Sequence, residues 1–160
     1  MKKKSVHVKY STALIQLPLV NDNPLTEVRT PVDVATVCHD MSELAQECFH
    51  ILVLNSRNKL LSRCLISIGT LDSTIVHARD VFRQAILEHG SALVLCHNHP
   101  SGDPTPSAED LRITRQLILA GQVLGIMVMD HIILGRKSTG NPGYLSLREA
   151  GICDFTGNPS

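Results

Sequence analysis

His97 and His99 are separated by one residue, and after seven intervening residues the chain continues Ser107-Ala108-Glu109-Asp110. Side chains two apart on an extended backbone point the same way. Both imidazoles can therefore aim at one point beyond a strand end. Asp110, in the first turn of the helix that follows, can add a carboxylate. Two histidines and one carboxylate with a fourth position left open form the donor set of a catalytic rather than a structural zinc. Each feature alone has a plainer meaning. A nearby pair of loop histidines is commonly unligated, and Ser107-x-x-Asp110 ahead of an apolar helix is a capping signature. The two are compatible, because a cap fixes where Asp110 points. Their joint occurrence, across a proline-rich loop at the end of a buried strand, favours a metal site.

The elements that must position these residues follow from periodicity. Residues 1–30 form a lead segment in which 10–20 can supply one strand or stay mobile, and Asn21-Asp22-Asn23-Pro24 signals a turn. Residues 31–45 read as a helix with Pro31 at a permitted early position. Cys48–Leu54 and Leu60–Ile68 read as two arms of a hairpin, and 74–77 as a short extended piece. Residues 80–89 read as a helix with Val81, Phe82, Ala85 and Ile86 inward and Gly90 as its stop. A buried strand is expected over 92–96, a polar loop over 97–106, and a helix over 107–120 with Leu111, Thr114 and Ile118 on its buried side, closed by Gly121. Strands are expected over 126–134 and 144–147. Hairpin strands followed by helix–strand–helix–strand imply an α/β domain, a mixed sheet flanked by helices. The main domain spans 31–155, and 156–160 is a tail.

Composition narrows the function classes. The 160 residues suffice for one domain, with 43% hydrophobic and 19% charged residues and almost no aromatics. Formal net charge is zero, so the basic excess of a dedicated nucleic-acid binder is missing. Lys2, Lys3, Lys4 and Lys9 read as a solvated terminus rather than a nucleic-acid arm. Five cysteines with no CxxC spacing argue against a disulfide framework or a cysteine-rich zinc site and fit a reduced, cytoplasmic setting. No signal peptide or membrane span is read.

The pattern H-x-H-x7-S-x-x-D matches the signature of JAMM (JAB/MPN-domain) metalloproteases. His97-Asn98-His99-Pro100-Ser101-Gly102-Asp103 with Pro106-Ser107 resembles the RadC family, whose domain is of this type. Gly69-Thr70-Leu71, Val76-His77-Ala78-Arg79, Asp130-His131-Ile132-Ile133 and Leu147-Arg148-Glu149-Ala150-Gly151 resemble it as well, so the similarity covers roughly residues 31–151. The resemblance implies a deaminase-like JAMM fold and one zinc per chain held by His97, His99 and Asp110. It further implies that Glu47, in Gln46-Glu47-Cys48-Phe49, is the catalytic glutamate, that Ser107 is the oxyanion donor, and that the substrate is a peptide or isopeptide bond.

Other residues take plainer roles. Cys96 faces the opposite side from His97 and packs in the core. Asp103 stabilises a turn. Asn98 points away from the histidines and ties the loop down. His131 is a hydrogen-bonded core histidine, with a role behind the ligands left open. His77 and Arg79 line a substrate or structural pocket, and His7, His39, His50 and His89 lack metal-like spacing. Three rivals remain. The first is a DNA-repair role, which the RadC label suggests; it is weakened by the absence of a helix-hairpin-helix in the lead segment, and His97-Asn98-His99 is not the longer ββα element of HNH nucleases. The second is a non-catalytic JAMM-like scaffold. The third is a zinc deaminase, whose P-C-x-x-C signature is missing. The sequence is compatible with a homo-oligomer and names neither substrate nor partner.

Overall fold

A computed structural model describes residues 26–69 and 76–156. Its strands are β1 (Cys48–Leu54), β2 (Leu60–Ile68), β3 (Ala92–Asn98), β4 (Met127–Leu134) and β5 (Tyr144–Ser146), and its α-helices are α1 (Pro31–Val37), α2 (Ala78–Leu87) and α3 (Ala108–Leu124). The sheet order is β2-β1-β3-β4-β5. β1 runs antiparallel to both β2 and β3, β3 runs parallel to β4 through the α3 crossover, and β5 returns antiparallel. This is the mixed sheet flanked by helices expected from the sequence.

Every residue of β1 and β3 is buried, because each central strand is covered on both faces. Alternation splits their side chains. Phe49, Ile51, Leu93 and Leu95 pack with Val81 and Phe82 of α2 and Ile113 and Leu117 of α3. Leu52, Leu54, Val94 and Cys96 pack with Val34 of α1 and with Cys38 and Met41. His97 shares parity with Leu93 and Leu95, so it faces α3, and Cys96 faces the other layer as expected. All five cysteines are free. Among the described residues, no helix is long and apolar enough to cross a membrane.

Several boundaries differ from expectation. The helix read over 31–45 is α1 followed by a 3-10 segment, His39–Glu43. The Val37 carbonyl that Met41 would use in a continuing α-helix accepts instead from Arg63 (3.0 Å), and the Met41 N–H turns to Cys38 (2.9 Å). α2 begins at Ala78 and leaves Ile86 54% exposed, so Ile86 does not point inward. Its left-handed terminal residue is His89 (φ 54°), not Gly90. β3 runs on through His97 and Asn98, which are strand rather than loop. α3 is not closed by Gly121 but continues to a left-handed Gly125 (φ 69°). Gly121 is buried within the helix, where a Cβ would lie 2.4 Å from the Ile126 carbonyl oxygen and so does not fit. The proposed strand over 10–20, the turn at 21–24, the lysines of the lead segment and His7 lie outside the described residues, as do Thr70, Leu71, residues 74–75 and the tail beyond 156. Val76 and His77 are irregular, with His77 at the N-cap of α2.

Gly121→Ala should therefore destabilise the fold although alanine favours helices, by about 1–3 kcal/mol from overpacking. Chemical denaturation read by circular dichroism measures it, and an unchanged midpoint would show that α3 and β4 can separate without cost.

Candidate metal centre

Three elements end at one place. β3 delivers His97 as its penultimate residue, fully buried, and the His99 N–H is held by the Leu134 carbonyl (2.8 Å) at the end of β4. β1 pairs antiparallel with β3 so that Phe49 sits opposite His97. Glu47, two residues earlier, shares the parity of Phe49 and falls beside the histidines. α3 brings Asp110, 1% exposed. Ser107 caps this helix by accepting from the Asp110 N–H (3.1 Å), and Asp110 Oδ2 accepts from the Ser107 N–H (2.7 Å). The reciprocal cap fixes the carboxylate rotamer. Glu47, His97, His99 and Asp110 each offer one donor atom, and all four atoms lie within 4.8 Å of one another.

The contacts inside this group are close. His97 Nε2 and His99 Nε2 are 2.9 Å apart. Asp110 Oδ1 lies 3.3 Å from His97 Nε2, and Oδ2 lies 3.4 Å from His99 Nε2. Glu47 Oε1 stands further off, 3.9 Å from His97 Nε2. Tetrahedral zinc bonds of about 2.0–2.2 Å set ligand atoms roughly 3.3 Å apart. The two histidines and Asp110 thus already approximate one face of such a polyhedron. The donor chemistry fits as well. His99 Nδ1 lies 2.8 Å from the Asp103 carbonyl oxygen, which can only accept, so Nδ1 carries the proton and Nε2 faces the cluster.

Charge follows from the packing. Burial drives the His97 imidazole below its usual range and outweighs Asp110 beside it. His99 is more open; its contact with Asp110 outweighs its partial burial and raises its pKa. Burial works to raise the Asp110 pKa, but contacts with His97 and His99 overcome it and hold the carboxyl far below the normal range. In the metal-free protein, a proton on His99 Nε2 would lie between two imidazoles and a carboxylate, where a metal ion would carry more charge.

The remaining sequence candidates separate clearly. Asp103 stabilises its turn, its Oδ1 accepting from the Thr105 N–H (3.0 Å) and hydroxyl (2.7 Å). Asn98 does more than hold its loop. Its Oδ1 accepts from the Cys48 N–H (2.8 Å) and its amide donates to the Gln46 carbonyl (3.1 Å), bracketing Glu47. His131 is fully buried, with Nε2 2.8 Å from His97 Nδ1 and Nδ1 2.5 Å from the Thr114 hydroxyl oxygen. The sequence marked Thr114 only as a residue on the buried side of its helix. The overlooked signal was its polarity, since a buried hydroxyl requires a partner. His50 is buried in the opposite layer, where desolvation lowers its pKa to about 4 and Arg63 Nε donates to its Nδ1 (3.2 Å). His39 and His89 are exposed away from the cluster, as is Arg79, whose guanidinium lies 3.9 Å from Asp80.

The family pattern described as a RadC-like JAB domain matches residues 28–152. Among curated relatives, a UPF0758 protein of Desulfitobacterium hafniense is 43% identical over 136 residues, covering 83% of this chain and 58% of the relative. One from Desulforamulus reducens is 46% identical over 126 residues, covering 78% and 53%. A third, from Caldanaerobacter subterraneus subsp. tengcongensis, is 42% identical over 154 residues, covering 95% and 64%. The chain thus spans between 53% and 64% of the length of these relatives.

A metal ion entering this cluster must displace the His99 proton. Apparent affinity should rise about tenfold per pH unit up to the His99 pKa and then flatten. The raised His99 pKa puts that break above its ordinary value of 6.5. Below the break, calorimetry in buffers of different ionisation heat should count about one proton released per metal bound. Affinity independent of pH across this range would remove His99 from the ligand set.

Proposed function

The chain belongs to the RadC-like JAB domain family, and we propose that it is a zinc-dependent hydrolase that cleaves an amide or isopeptide bond. The observation that carries this reading is the convergence of His97, His99 and Asp110, with Glu47 standing slightly apart. His97, His99 and Asp110 would hold one zinc and leave one position open, the arrangement of a catalytic site. A zinc ion there supplies Lewis acidity, making water easier to deprotonate and a carbonyl easier to attack.

The protein's own groups divide the remaining work. Glu47 is more distant from His97 than Asp110 is, and its side chain is 17% exposed against 1% for Asp110. That suits a general base that takes a proton from water and returns it to the departing amine. Ser107 accepts the Asp110 N–H through a lone pair, which leaves its own O–H to donate to the developing oxyanion. Buried Asp110 and His97 hold the polar cluster on a rigid floor, while exposed Ser107 marks the open side. The amide specificity rests on the JAMM resemblance.

Purified protein should carry about one zinc per chain. His97→Ala and Asp110→Ala should lose most of it. Glu47→Gln should keep the metal while turnover in a peptide-library cleavage screen falls by about 10²–10⁴. Ser107→Ala should also keep the metal, slow turnover by roughly 10²–10³ and lose about 1 kcal/mol of stability through its cap. Full turnover by Glu47→Gln would remove Glu47 from the mechanism, and a folded wild type without affinity for zinc would end the reading.

A further inference from the structure

We propose that Thr114 and His131 are positioning residues for the metal centre, forming a directional hydrogen-bond relay that presents His97 with a bare Nε2. The inference rests on the reading of His97 as a metal ligand. The relay has three links. The Thr114 hydroxyl oxygen is 2.6 Å from the backbone carbonyl of Asp110 and 2.5 Å from His131 Nδ1. His131 Nε2 is 2.8 Å from His97 Nδ1.

Direction follows from one fixed end. A carbonyl can only accept, and the Thr114 hydroxyl has one proton to give. If that proton went to His131, two oxygen lone pairs would face each other at 2.6 Å. Thr114 therefore donates to the Asp110 carbonyl and accepts from His131, so His131 carries its proton on Nδ1. His131 is fully buried and meets Phe49 edge-on, with ring centres 5.6 Å apart. That surrounding opposes a second, charge-bearing proton. His131 Nε2 is then an acceptor, His97 must donate from Nδ1, and His97 Nε2 is left with its lone pair facing His99 and Asp110. In His99 the Asp103 carbonyl likewise holds a proton on Nδ1, so Nε2 is the nitrogen that faces the cluster. In both rings an acceptor at Nδ1, anchored in the end on a carbonyl that cannot donate, turns Nε2 toward the cluster; on His97 that nitrogen is bare, and on His99 it yields its proton to an entering metal.

The fold makes the relay possible. β3 and β4 are parallel neighbours with His131 opposite Leu95 and Ile133 opposite His97, so both imidazoles emerge diagonally on the face under α3. Thr114 sits one turn after Asp110. Asp110 therefore serves twice, its side chain toward the metal cluster and its carbonyl as the relay's anchor. Partners behind a metal-bound histidine fix its ring and tautomer, and losing one typically costs 10–100-fold in metal affinity.

Long-range proton–nitrogen NMR on the full chain with nitrogen-labelled histidine reads the tautomers directly. Wild type should show His131 and His97 both protonated at Nδ1, and added zinc should shift His97 Nε2 while leaving the His131 tautomer unchanged. Thr114→Val keeps the shape but removes the hydroxyl. It should bind zinc about 10–100-fold more weakly in chelator competition and lose the single His131 tautomer, and Thr114→Ser should restore both. A wild-type His131 protonated at Nε2 overturns the relay without any variant, which keeps the test decisive if Thr114→Val does not fold. A folded Thr114→Val with unchanged zinc affinity also overturns it. A wild type that takes up no zinc overturns the metal reading beneath it, and this is seen before variants are compared.

Discussion

Two imidazole nitrogens 2.9 Å apart, with one Asp110 carboxylate oxygen 3.3 Å from the first and the other oxygen 3.4 Å from the second, form a cluster that positive charge among them would stabilise. A proton on His99 would supply that charge weakly and a divalent cation strongly. With both Nε2 atoms bare the donors repel one another, and much of the local structure stops them from moving apart. His97 cannot swing out because it is embedded in β3 between β1 and β4. Asp110 cannot turn away because both its carboxylate and its N–H are engaged in the cap of α3. A sheet buried on both faces thus supplies the rigidity that a preorganised site requires.

The two faces of the sheet divide polar and apolar duties unequally. Toward α3, the line of Phe49, Ile51 and Leu95 ends in His97 and His131, so the core grades into the cluster without a gap. On the other face, Arg63 joins Asp40 (2.6 and 2.9 Å), the Val37 carbonyl and His50. That network gives α1 its early end and uses the polar residues of its own layer. His50 belongs to that network rather than to the cluster, with Arg63 Nε donating to its Nδ1 and desolvation lowering its pKa.

How much of this was legible in the sequence depended on the range of each interaction. The shared direction of His97 and His99 was readable because strand alternation is local. The cap formed by Ser107 and Asp110 was readable because it spans three residues. The position of Glu47 beside them was not, since it depends on which residue of β1 faces His97, a register set by pairing across nearly fifty residues; family resemblance supplied the residue but not the geometry. Gly121 was misread as a stop because sequence does not reveal a close approach to Ile126, whereas the true stop at Gly125 came four residues later. Thr114 was legible only as a buried position and His131 as a hydrogen-bonded core histidine with a role behind the ligands left open; their partners were not, since those hydrogen bonds cross from helix to strand and from strand to strand.

Asn98 explains why the residue between the histidines is not arbitrary. Alternation turns it away from the two ligands, toward the start of β1. There its amide takes the Gln46 carbonyl and its oxygen takes the Cys48 N–H, the backbone groups on either side of Glu47. The strand that delivers His97 and leads into His99 therefore also holds the peptide units on either side of Glu47. The separation between Glu47 and His97 is thus fixed twice, by the β1–β3 register that sets Phe49 opposite His97 and by the two hydrogen bonds of a buried amide on either side of Glu47. A general base must lie at a defined distance from the water it would serve, so if Glu47 takes that role, Asn98 and the strand pairing set the distance together.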